Sequence, residues 1–145
     1  MRLAFALLLI AINHLPARAQ PLKGNENTVA GCPAATTVTQ AWMLGLWRAE
    51  FSNPAQAATL LLEPNASHPG SFSGAINRNG EQARLAGDIE DGEFSLEESA
   101  DGVRISATWV GDVVESSCGH EVRGDWQAAP DGPLRPFVLR KLAEN

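Results

Sequence analysis

The chain has no tyrosine, only two cysteines, three histidines and two methionines among its 145 residues, and charged residues make up just 19% of it. Each scarcity excludes something. Cys118-Gly-His120 supplies too few ligands for a zinc centre, which usually takes four, so it reads as a turn beside a cysteine and no metal is expected. There is no Gly-x-Ser-x-Gly elbow, His-Glu-x-x-His pair, phosphate loop or dinucleotide fingerprint. No acid, base and nucleophile can therefore be grouped, and neither an enzyme nor a cofactor is expected. Basic residues are outnumbered 11 to 17, giving a net charge of −6. Such a charge repels phosphate backbones and anionic lipid, which argues against nucleic acid or a membrane surface as partner.

Long apolar runs are missing too, except at the start. Arg2 precedes an apolar stretch from Leu3 to Ile12, and Ala17-Arg-Ala19 supplies small residues before a cleavage point. This is the layout of a secretory signal peptide over residues 1–19, too short in its apolar part to span a bilayer. The mature chain would begin at Gln20, periplasmic or secreted, and be more negative by the two departing arginines. At its length one domain is expected, burying roughly two-thirds of its unfolded surface. Val29-Ala-Gly-Cys32 resembles a lipobox and offers an alternative, a lipoprotein anchored through Cys32. A polar stretch with Lys23 and Glu26 separates it from the apolar run, which favours cleavage near Ala19. Residues 20–40, with Pro21, Gly24, Gly31 and Pro33 near their start, read as a flexible lead-in, and residues 41–145 as a single β-barrel domain. A short helical turn is expected within Thr36 to Leu46.

In an oxidising compartment the simplest reading of Cys32 and Cys118 is a disulfide. It would tie the lead-in to the domain and, on loop-entropy grounds, add roughly 4–5 kcal/mol at most.

What the chain has in quantity is alternation. Trp47, Ala49 and Phe51 fall on one side of a strand while Arg48 and Glu50 fall on the other. The large–small–large triplet returns as Phe72, Gly74, Ile76; as Leu85, Gly87, Ile89; as Ile105, Ala107, Trp109; and as Val122, Gly124, Trp126. Strands are predicted over Trp42 to Phe51, Ala57 to Glu63, Ser71 to Arg78, Glu81 to Glu90, Glu93 to Ser99, Val103 to Val110 or a little beyond, Glu121 to Gln127 and Arg135 to Lys141. Asn79-Gly80, Asp91-Gly92 and Asp101-Gly102 are type I′ hairpin signals. Eight short strands joined by tight turns predict an all-β fold, an eight-stranded antiparallel up-and-down barrel, with a two-layer β-sandwich as the alternative. The repeated small residue permits the sharp coiling that closure needs. It also leaves two interiors open: one filled by the bulky neighbours, the default of close packing, or one hollow enough for a small apolar ligand.

Gly45-Leu-Trp47 at the head of an eight-stranded meander resembles the Gly-x-Trp opening of calycin barrels, which include lipocalins and avidins. Thr108-Trp-Val-Gly-Asp-Val113, followed by Trp126 and a last strand from Phe137 to Lys141, is similar to the closing half of avidin-like chains. The resemblance implies a calycin-like barrel. It does not carry over biotin binding, which relies on a tyrosine that this chain lacks and an asparagine matched only loosely by Asn53. Bacterial inhibitors of secreted metalloproteases share this architecture, are exported and have a disulfide. Theirs lies within the barrel, whereas Cys32 lies in the lead-in.

The acidic group Asp88, Glu90, Asp91, Glu93, Glu97, Glu98 and Asp101 lacks the spacing of a calcium loop. With Asp88, Glu93 and Glu97 pointing outward, it reads as a solvated face. Arg123-Gly-Asp125 falls inside a strand, not at a loop tip, and Asn65-Ala-Ser67 is a formal glycosylation sequon. The expected function is an exported, non-enzymatic binding protein that engages a small apolar ligand or a protein partner through one barrel end. The candidate ligand-binding residues are Trp47, Trp109 and Trp126, with Phe72 and Phe94 nearby. The alternative is an inhibitor of a secreted or periplasmic protease, with Gln20 to Cys32 as the inserting arm. Intact mass spectrometry of the protein exported by its own host should give a chain starting at Gln20 and lacking two thiol hydrogens; an acylated chain starting at Cys32 would overturn both expectations.

Overall fold

The computed structural model describes residues 31–143. The expected signal peptide over 1–19 and the part of the expected lead-in before Gly31 lie outside them. The strands are β1 (Gly45–Phe51), β2 (Ala58–Pro64), β3 (Phe72–Arg78), β4 (Glu81–Glu90), β5 (Glu93–Ser99), β6 (Ala107–Val113), β7 (Glu121–Ala128) and β8 (Arg135–Lys141). Each pairs antiparallel with the next, and β8 returns to β1 through Trp47↔Lys141, Ala49↔Leu139 and Phe51↔Phe137. That last ladder makes the fold a closed up-and-down barrel and rules out the two-layer sandwich. Side chains alternate as expected, with Trp47, Ala49, Leu60, Leu62, Phe72, Ile76 and Leu139 buried and Arg48, Glu50, Glu63, Asp88 and Arg140 exposed. The apolar side faces inward and the charged side outward, the reverse of a membrane-spanning barrel.

Two predicted hairpins form as type I′ turns. Asn79 and Gly80 have φ of 55° and 92°, and Asp91 and Gly92 have 50° and 84°. The third does not. Only Gly102 has positive φ there, at 75°. The Asp101 carboxylate accepts hydrogen bonds from the Val103 and Arg104 amides at 2.9 and 2.8 Å and from Arg104 Nε at 3.0 Å. These bonds, the Arg104 amide's first, lower its pKa from 3.8 to about 2. They curl residues 100–106 away from the ladder, so β6 starts at Ala107 rather than Val103 and runs on to Val113. Ile105, expected to point inward with Ala107 and Trp109, is instead exposed in that loop.

The barrel end where β1 starts is covered by the segment that precedes it. After a 3-10 turn at Ala35–Thr37, the expected helical turn forms as α1 (Gln40–Met43). Val38 and Met43 are fully buried and Ala35 nearly so. The segment reaches every hairpin connection at this end. Gln40 donates to the Ser71 carbonyl between β2 and β3. Ala35 lies against the Gly92 turn, and its amide donates to Glu115 Oε2 at 3.0 Å. Lys141 Nζ donates to the Trp42 carbonyl at 2.6 Å. The Cys32–Cys118 disulfide forms, across 86 residues with Cα atoms 4.6 Å apart, and pins the segment to the β6–β7 connection.

The small mid-strand residues serve curvature. A Cβ on Gly74 would lie 1.9 Å from the Leu61 carbonyl oxygen, and one on Gly124 would lie 2.0 Å from that of Val110. Neighbouring backbones occupy the room that glycine frees. Along the axis, rings fill the rest: Phe72 stacks on Phe94 at 5.8 Å, and Trp109 meets Phe137 at 4.8 Å and Phe51 at 5.6 Å. Gly74→Ala should therefore cost about 1–3 kcal/mol, the usual penalty of overpacking. Urea unfolding checks this, and an unchanged midpoint would mean that the strands are free to separate there.

Candidate functional site

Among the described residues, the opposite end carries no such cover. It is formed where β1, β3, β5 and β7 finish and β2, β4, β6 and β8 begin. On β5, Glu93, Ser95 and Glu97 face out while Phe94, Leu96 and Glu98 face in. Glu98 is thus a carboxylate on a core position, 4% exposed and the one buried charged residue among those described.

Three donors meet its Oε1: Trp109 Nε1 at 2.8 Å, Trp126 Nε1 at 3.0 Å and Arg78 Nη2 at 3.0 Å. Arg78 Nη1 approaches Oε2 at 3.4 Å, so the guanidinium lies fork-on against the carboxylate. A buried carboxylate without partners would be strongly unfavourable, and so would two buried indole N–H groups without an acceptor. Here each satisfies the other, and no buried side-chain nitrogen or oxygen among the described residues lacks a partner. The geometry follows from register: Trp109 and Trp126 are cross-strand partners on β6 and β7, and Arg78 ends β3 in phase with Phe72 and Ile76.

Above this cluster lies a depression of about 230 Å³ lined by Phe51, Gln56, Arg78, Trp126 and Arg135. Arg135 opens β8 directly opposite Trp126. Its Cζ is 5.3 Å from the centroid of the Trp126 ring, and that of Arg78 is 5.9 Å away. Phe51 meets the same ring edge-on at 6.3 Å. Two cations thus stand beside one half-buried indole, which is held in place from behind by Glu98.

Of the five aromatic residues expected to form a site, Trp109 and Trp126 are brought together through Glu98, and Trp126 lines the depression. Trp109 lies fully buried beneath it. Trp47, Phe72 and Phe94 are fully buried toward the covered end, where Trp47 Nε1 donates to the Met43 carbonyl at 2.7 Å and its ring lies 5.8 Å from Lys141 Nζ. Sequence reasoning missed Arg78, Glu98 and Arg135, although each continues an inward alternation: Ile76 to Arg78, Leu96 to Glu98, and Arg135 to Phe137. Glu98 was hidden among its exposed acidic neighbours.

Among the described residues, no group of three or more histidine, cysteine or acidic side chains is placed to hold a metal ion. Nor is any helix there long and apolar enough to cross a membrane. No protein-family model matches the chain, and no curated protein matches it.

Glu98→Leu strips three donors of their acceptor and should lower stability by at least about 3 kcal/mol, as breaking a buried pair does. Glu98→Gln, which keeps a carbonyl for the indoles, should lower it less. Guanidinium unfolding with near-ultraviolet circular dichroism reads both, and equal stability of all three proteins would remove the cluster from any structural role.

Proposed function

We propose that this is an exported, non-enzymatic binding protein whose binding surface is the uncovered end of a calycin-like barrel. The observation that carries the proposal is the Glu98 cluster. A buried carboxylate bound by two tryptophans and an arginine fixes Trp126 and Arg78 before any ligand arrives, and preorganisation of this kind lowers the entropic cost of binding. The ligand is held over the end of the barrel rather than within it, since the rings of Phe51, Trp109 and Phe137 fill the axis beneath. The disulfide, typical of oxidising compartments, supports export.

A second reading, inhibition of an exported protease by the segment Gln20 to Cys32, draws support from the covalent anchor at Cys32. Whatever precedes that residue is joined to the barrel at a fixed point, as an inserting arm requires.

The two readings put function at opposite ends of the barrel. Screening a small-fragment library by NMR should give hits that move the Trp126 indole signal and are lost in Trp126→Ala, with no effect of removing residues 20–31. Hits confined to the covered end or the outer wall would defeat the first reading. Inhibition of a secreted metalloprotease that vanishes on the same deletion would establish the second.

A further inference from the structure

Arg78 and Arg135 stand at the same indole, but their charges are not equally engaged. Arg78 is matched by Glu98 at 3.0 Å. Arg135 has no carboxylate within ion-pair distance among the described residues, whereas Asp101 holds Arg104, and Glu121 holds Arg123 and Arg140. It lies instead over the ring of Trp126. The depression therefore carries one uncompensated positive charge on a chain whose net charge is −6.

The other walls narrow the occupant. Phe51 and Trp126 offer flat apolar surface, and the Gln56 amide adds a hydrogen-bonding group at the rim. The volume of about 230 Å³ falls below the roughly 300–1,000 Å³ of pockets that take drug-sized ligands, so the fit is to one ring and a short arm. A guanidinium presents paired N–H donors that match a carboxylate.

We infer that the uncovered barrel end binds a small aromatic carboxylate, with the ring against the surface that Phe51 and Trp126 form and the carboxylate on Arg135. This rests on the binding role of that end proposed above. A free aromatic acid and the C-terminal phenylalanine of a peptide share the same chemistry.

The test is titration of the ¹⁵N-labelled full mature chain with phenylacetate, phenylacetamide and phenethylammonium, reading the Trp126 indole and the Arg135 backbone and side-chain signals. Phenylacetate should saturate at a concentration at least tenfold below phenylacetamide, and phenethylammonium should be weaker still. Arg135→Gln should bring phenylacetate to the level of the amide, while Arg135→Lys should retain part of the preference. The acid–amide comparison on the unmutated protein stands even if a variant fails to fold. If the amide or the ammonium binds these residues as well as the acid does, the carboxylate inference falls and the binding role of this end survives. If none of the three moves them, both fall. A peptide ending in Gly-Gly-Phe with a free carboxylate, set against its C-terminal amide, separates the sources: tighter binding than phenylacetate assigns the site to peptide termini, weaker binding to the free acid.

Discussion

Everything in this protein depends on the ladder between β1 and β8. Without it the meander is an open sheet with two edges and an apolar face too large for a short lead-in to cover. With it, every strand has two neighbours and the inward side chains form one core. Closing eight strands around so narrow an axis requires sharp coiling, and the glycines supply it. Gly111 and Gly124 are cross-strand partners, and a Cβ on the latter would lie 2.4 Å from the Cα of the former. The small residues and the large ones are therefore parts of one solution: backbone approaches where side chains are absent, and rings fill the axis elsewhere.

The barrel was legible because its signals are local. Period-2 alternation and two Asn-Gly or Asp-Gly pairs place β3, β4 and β5 within a residue of their observed bounds, and the lone cysteine pair names the bridge. The Asp101-Gly102 turn misled because the same aspartate that suits a type I′ turn can also bond its own backbone two and three residues on, and here it does. The sheet closure that joins residues 47 and 141 is a tertiary fact; the strand count suggested it, and no single segment encodes it.

The cluster at the uncovered end was less legible for a physical reason. Glu98 carries the same charge as its exposed neighbour Glu97, and polarity by itself points outward. Burial of a carboxylate depends on three donors arriving from β3, β6 and β7, and one strand's sequence cannot report what its neighbours bring. A core filled by hydrocarbon alone would be no less stable by the usual comparison. The use of Glu98 instead fixes which way two indoles and a guanidinium point, and so shapes the surface above them.

The order in which the ladders form has its own consequence. Seven of them join strands adjacent in sequence and can assemble as hairpins, while the eighth brings together the first strand and the last. As the chain is synthesised from its N-terminus, β1 keeps a bare hydrogen-bonding edge until β8 has emerged. The interval between those two events is when this chain is most open to pairing with another copy of itself.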